Sequence, residues 1–253
     1  MTGAIWSEEA GDAEAPLVVL VHGSMDRSAG LLKLSRRLDR RYRVLRYDRR
    51  GYGRSTPHDG PFGMDEQVAD LVALLDGRRA VLFGHSYGGN VALAVTDHRP
   101  DLVRAVAVYE SPLSWLDWWP GSTAGSLALV GEGDAADAAE RFMRRLIGDE
   151  RWSRLPSGTR AARRTEGRAM VGELEDLSRR APWDPARITV PAVAIRGTEG
   201  AEHHGLSTVH LGDVLPDCDV VEIEGARHFG PNTHPDAVAE VIVALVNRAA
   251  TAP

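Results

Sequence analysis

The chain has 253 residues, 43% of them hydrophobic and 26% charged, with a formal net charge of −6 at pH 7. That suits one large globular α/β domain with an insertion, and the acidic balance argues against nucleic acid as a main partner, because phosphate binding needs concentrated positive charge. Cys218 is the only cysteine, which excludes an intrachain disulfide and a multi-cysteine metal site.

Residues 1–16 are acidic and lack the apolar core of a signal peptide, and no apolar run is long enough to span a bilayer. A cytoplasmic protein that does not bind membranes is expected. A short edge hairpin is expected around Ile5 and Trp6. Leu17-Val18-Val19-Leu20-Val21 reads as a strand buried on both faces, ending in His22-Gly23-Ser24. A helix carrying Leu31, Leu32, Leu34 and Leu38 follows, then a strand over 42–47. Next comes the glycine-punctuated loop Asp48-Arg49-Arg50-Gly51-Tyr52-Gly53-Arg54-Ser55. It has a phosphate-binding look but lacks the Gly-Lys-Ser/Thr ending of a P-loop. A helix over about 64–75 leads to Arg79-Ala80-Val81-Leu82-Phe83-Gly84-His85-Ser86-Tyr87-Gly88-Gly89.

Here a short apolar strand stops at a glycine-flanked serine, and apolar residues resume at helical spacing with Val91, Ala92, Leu93 and Val95. A strand turning sharply into a helix lifts its turn residue above the sheet edge, and side chains at positions 84 and 88 would clash. Ser86 is then exposed beside a helix N-terminus that favours negative charge. The next strand covers 103–109 and closes with Glu110-Ser111-Pro112. Alternating strands and helices imply a parallel sheet with helices on both faces and right-handed crossovers.

That rhythm breaks over 113–187, which opens with Trp115, Trp118 and Trp119 and shows helical patterns over 135–147 and 160–179. The segment reads as a helical cap, inserted between core segments 1–112 and 188–253. The tryptophans fit equally an apolar acyl pocket and plain packing. Strands over 191–196 and 219–223 follow, separated by a helix near 206–215, and an amphipathic helix over 236–247 ends the pattern.

The sequence resembles the α/β-hydrolase fold family, in a member with a helical cap after the fold's sixth strand. The resemblance rests on His22-Gly23, the Asp48–Ser55 loop, the elbow at Ser86, Gly225-Ala226-Arg227-His228-Phe229 and Thr233-His234-Pro235, and it covers nearly the whole chain. It implies a mostly parallel sheet, a serine nucleophile and no metal or organic cofactor. A serine at the elbow disfavours the aspartate-dependent relatives, the haloalkane dehalogenases and epoxide hydrolases.

A serine hydroxyl is a weak nucleophile without a base, and nine histidines compete for that role. His228, in a short loop after the last strand, matches the family's general base. His85 should be turned away from the serine, and His22 should fix its own loop. His203 and His204, beside Glu202, read as a solvated loop pair, because no third metal ligand is placed. His234 should structure the start of the last helix. The histidine needs a carboxylate to hold its tautomer. Family members commonly carry it in Gly-x-x-Asp after the next-to-last strand, but here that place reads Gly197-Thr198-Glu199-Gly200. A minority carry it after the sixth strand, where Glu110 stands. Glu110 is therefore favoured, with Glu199 the alternative acid and Glu202 third. The backbone N–H groups of Tyr87 and Ser24, with Met25 as fallback, are the expected oxyanion donors. The expected function is hydrolysis of a small to medium ester, thioester or lactone through an acyl-enzyme. The rivals are acyl transfer, perhydrolysis, carbon–carbon bond hydrolysis, and a non-catalytic ligand-binding protein. The oligomeric state is left open.

Overall fold

The computed structural model describes residues 4–251. Its centre is a seven-stranded sheet of β1 (Ser7–Ala10), β2 (Leu17–Val21), β3 (Arg43–Tyr47), β4 (Ala80–His85), β5 (Val103–Tyr109), β6 (Ala192–Gly197) and β7 (Cys218–Ile223). The spatial order is β1-β3-β2-β4-β5-β6-β7. Only β1 runs antiparallel, pairing with β3 from Ser7 opposite Tyr47 to Ala10 opposite Val44. The sheet's first strand is thus an edge strand on β3 and forms no hairpin with β2, because both sides of β2 are taken by β3 and β4.

Period-two alternation sorts the strand side chains between the two faces. Val18 and Leu20 of β2 join Val81, Phe83, Ala105 and Ala107 on one face. That face is covered by α1 (Leu32–Leu38) and α11 (Pro235–Thr251). Leu17, Val19 and Val21 join Leu82, Val106 and Val108 on the other, beneath α2 (Met64–Leu75), α3 (Tyr87–His98) and α9 (Glu202–Val214). Fully burying each of the larger side chains stabilises the fold by roughly 1.5–3 kcal/mol. The four-residue α10 (Gly230–Thr233) leads into α11, where the carbonyl of His234 accepts the first helical bond from Val238.

Between β5 and β6 the chain leaves the sheet and forms α4 (Ala124–Val130), α5 (Ala135–Ile147), α6 (Asp149–Arg154), α7 (Ser157–Thr165) and α8 (Gly167–Arg179). The single helix expected over 160–179 is two helices meeting at Glu166. Gly167 passes so close to the carbonyl of Ala135 that no side chain fits there. Asp134 starts α5 with a reciprocal cap, its carboxylate taking the N–H groups of Ala136 and Asp137. The inserted helices build a smaller apolar cluster of their own around Phe142, Met143, Trp152, Ala169 and Met170, which reaches Met25, Tyr52 and Phe62 of the sheet-end loops. Among the described residues no helix is long and apolar enough to cross a membrane.

Candidate active site

The β4–β5–β6 ladder continues one step past its last paired residues. Ser86 N–H donates to the Tyr109 carbonyl at 2.8 Å, and Glu110 N–H donates to that of Ile195 at 2.9 Å. Ser86 and Glu110 therefore leave adjacent strands at the same sheet edge. Both have positive φ, 54° at Ser86 and 47° at Glu110, a conformation that costs a side-chain-bearing residue on the order of 1–3 kcal/mol. Any Cβ on Gly88 would run into the carbonyls of Val21 and His22, so only glycine lets α3 start directly behind the serine. Gly23 lies against Ser86, where a Cβ would stand 2.9 Å from that of the serine. Ser24 consequently lines the same cavity as Ser86, whereas the Met25 side chain turns into the apolar cluster of the inserted helices.

His228 Nδ1 stands 2.8 Å from Glu110 Oε2, and the Gly197 N–H donates to the other oxygen, Oε1, at 3.0 Å. Glu110 is buried. A carboxylate on Nδ1 fixes the neutral ring with its proton there and leaves Nε2 as the acceptor. Glu199 instead pairs with Arg227 at 3.1 Å on the surface, and Glu202 is exposed in the first turn of α9. A Cβ at Gly200 would sit 2.5 Å from Glu110 Oε1; the glycine at the family's customary acid position leaves the space that Glu110 fills.

The residues just before Ser86 and Glu110 tether the His228 loop. Tyr109 donates its hydroxyl to the Arg227 carbonyl at 2.9 Å, and His85 Nε2 lies 2.7 Å from the carbonyl of His228. Burial, then the charge of His228, push the His85 pKa down to about 3, so His85 is neutral and donates there. His22 acts similarly within its own loop. Its Nδ1 lies 2.8 Å from the Gly23 carbonyl and its Nε2 accepts the Arg49 N–H at 2.9 Å.

His203 and His204 correct the sequence reading. They do not lie in a solvated loop but in the first turn of α9, which begins four residues earlier than its apolar spacing indicates. The His204 ring stacks on that of His228, with centroids 4.5 Å apart and planes 12° apart. Burial and the charge of His228 hold its pKa well below the usual histidine range. Ligand atoms of Glu110, His204 and His228 all lie within 4.8 Å of one another. Near-parallel rings cannot aim their in-plane lone pairs at one ion about 2 Å from each, and the Glu110–His228 hydrogen bond already uses the facing atoms. The geometry is that of a stack on a hydrogen-bonded pair. Only the pairing of helical position with an adjacent histidine could have signalled it.

Ser86 and His228 open into a cavity of about 550 Å³, whose far wall comes from the inserted helices, through Ala124, Leu129, Phe142, Leu146, Leu174 and Leu177 among others. The tryptophans divide: Trp119 lines the cavity, Trp115 packs edge-on against Trp183 at 5.4 Å, and Trp118 is exposed beside His210.

Two glutamates absent from the sequence reading fasten the inserted helices to the sheet-end loops. Arg49 and Glu173 form an ion pair at 2.6 Å with both side chains fully buried, and Tyr52 donates its hydroxyl to the same carboxylate at 2.7 Å. Glu166 takes Arg27 at 2.7 Å and the Gly53 N–H at 3.0 Å. The Asp48–Ser55 loop therefore spends its arginines on bracing, Arg50 pairing with Asp70 at 2.7 Å.

Residues 18–241 match the model of the alpha/beta hydrolase family. The chain is 28% identical to rhodomycin D methylesterase of a Streptomyces species, over 98% of this chain and 96% of that protein. It is 25% identical to 2-(acetamidomethylene)succinate hydrolase of Mesorhizobium japonicum, over 92% and 88%. The crystal structure of the enol-lactonase from Burkholderia xenovorans superposes with a TM-score of 0.76 at 23% identity, over 96% of each chain. The chain belongs to the alpha/beta hydrolase family.

Proposed function

We propose that this member of the alpha/beta hydrolase family is a serine hydrolase that cleaves an ester, thioester or lactone of small to medium size. The observation carrying the reading is the Glu110–His228 hydrogen bond of 2.8 Å beside a positive-φ serine at the same sheet edge. Its relatives with esterase and hydrolase names support it at the level of reaction class.

Ser86 Oγ attacks the carbonyl carbon while His228 Nε2 takes its proton. Glu110 keeps the imidazole in the Nδ1–H tautomer and stabilises the imidazolium that forms. The negative charge developing on the carbonyl oxygen is received by the N–H groups of Tyr87 and Ser24, each contributing about 3 kcal/mol to lowering the barrier. His228 then gives its proton to the leaving alkoxide or thiolate. Water, activated by the same nitrogen, resolves the acyl-enzyme. Residues 113–187 act as the cap over Ser86 and shape the substrate space.

The choice of acid provides the test. Glu110→Gln should lower kcat/KM for a simple 4-nitrophenyl ester by up to about 10⁴, because the amide stabilises the wrong tautomer and no imidazolium. Glu199→Gln, which loses only a surface pair with Arg227, should change it by less than about threefold. The reverse ranking contradicts the reading.

A further inference from the structure

The cavity above Ser86 carries an arginine for which the proposed chemistry has no use. Helix α5 bears Arg141, Arg144 and Arg145 near its end. Arg141 donates to the carbonyls of Ala128 and Gly131 at 2.9 and 3.1 Å. Arg144 pairs with Glu140 at 2.8 Å and Asp149 at 3.0 Å. Arg145, exposed at the cavity's solvent side, has neither an ion-pair nor a hydrogen-bond partner among the described residues, and it lines the cavity.

Its position on the helix makes this informative. Phe142, Arg145 and Leu146 are spaced i, i+3 and i+4, so they share one face, and all three line the cavity. An arginine thus interrupts a face that otherwise presents apolar surface. The other charged residues of the lining are Arg227 and Glu199, which offset each other at 3.1 Å. That leaves the side chains lining the cavity with one net positive charge, Arg145, set across from the buried Glu110 carboxylate behind His228, in a chain of net charge −6. Burial and then His228 hold the His203 pKa below its usual range; Glu110 opposes them, and Arg145 adds a smaller push in the lowering direction.

We propose that Arg145 receives a carboxylate of the substrate, so that the ester or lactone cleaved at Ser86 is an anionic one. The acyl carbonyl would lie at Ser86, the carboxylate at Arg145, and a hydrocarbon spacer along Leu146, Leu174 and Leu177. A guanidinium presents a planar fork of donors that matches a carboxylate in two-point contact. The inference rests on the serine-hydrolase reading for the bond that breaks, but not for the binding of the carboxylate.

The test compares two esters with the same leaving group and acyl length, mono-4-nitrophenyl adipate and 4-nitrophenyl hexanoate, in which the terminal carboxylate becomes a methyl. A hydrogen bond to a charged group predicts that the wild type favours the adipate ester in kcat/KM by roughly tenfold to a hundredfold. The preference should appear mainly in KM, collapse towards one in Arg145→Met and return in part in Arg145→Lys. Reading a ratio cancels any general loss of activity in the variants. A wild type that favours the hexanoate ester, or a ratio unchanged in Arg145→Met, overturns the proposal; the latter leaves Arg145 as a helix-terminal charge only. Calorimetry with monomethyl adipate and methyl hexanoate on Ser86→Ala separates the two readings. Tighter binding of the adipate that disappears in Ser86→Ala/Arg145→Met upholds the carboxylate site even if Ser86 proves not to be the nucleophile. Equal binding of both probes overturns it even if Ser86 is the nucleophile.

Discussion

Strands β2 and β4 are buried at every position, whereas α7 of the inserted segment buries no residue at all. The sheet is held by two continuous apolar clusters, one on each face. The inserted helices have one smaller cluster and are seated on the sheet-end loops by Glu166 and Glu173. Apolar contacts tolerate small shifts, but a buried carboxylate is satisfied in only one position. In registering the insertion on the core, buried charge is therefore added to apolar packing through Leu177 and the cluster around Met25, Tyr52 and Phe62, whereas the sheet itself is held by packing. The division extends to the site: Ser86, Glu110 and His228 all stand at the sheet edge, while the far wall of the cavity comes from the insertion. Substitutions in the core should alter rate, and those in the insertion should alter seating or substrate preference.

The largest effect expected on stability comes from breaking the seat. Glu173→Gln leaves the Arg49 guanidinium buried without its counter-charge, a change that costs about 3–5 kcal/mol where a buried pair loses one partner. Replacing both residues by apolar ones of similar size, as in Arg49→Met/Glu173→Leu, should cost much less. Urea unfolding of the three proteins measures both. A cost under about 1 kcal/mol for Glu173→Gln would show that packing, not charge, registers the insertion.

An effect no larger, from the core side, is a loss of stability in mild acid. His22, His85 and His204 are all held below the ordinary histidine value, burial being the first cause in each. The unfolded chain takes up these protons near pH 6.5 while the folded chain does not, down to about pH 3 for His85. Stability is therefore full above pH 6.5 and falls as the pH drops through that window, by up to about 1.4 kcal/mol per pH unit for each histidine. Unfolding free energies at pH 7.5, 6.5 and 5.5 should decline from the second value to the third, and less steeply in His85→Phe. A flat profile from pH 7.5 to 5.5 contradicts this assignment.

How much of this was legible in the sequence follows the same division. The runs 17–21 and 80–83 are readable as strands because burial on both faces demands uninterrupted apolar residues, and 103–109 is readable despite the one exposed residue, Arg104. The elbow is readable because only glycine fits behind Ser86, and Glu110 came within reach once Gly200 stood where an acid was expected. Glu166 and Glu173 were not legible: a glutamate within a helical pattern reads as a solvated face until the arginine it meets, more than a hundred residues away, is known. The start of α9 is hidden in the sequence for a related reason. His203 and His204 break the apolar spacing, yet they fill the first turn of the helix and one of them covers His228. The edge strand β1 pairs with β3 and forms no local hairpin, and that long-range pairing leaves no signature near Ile5 and Trp6.

The central claim is that the chemistry resides in one sheet-edge serine, and covalent labelling tests it most directly. Treated with a fluorophosphonate, the wild-type protein should gain the mass of one adduct, which peptide mapping places on Ser86. Ser86→Ala should stay unlabelled and inactive towards 4-nitrophenyl esters while melting within a few degrees of the wild type, because the hydroxyl fills no packing role. An adduct on another residue, or a Ser86→Ala protein that still hydrolyses esters within a few-fold of the wild type, would contradict the account.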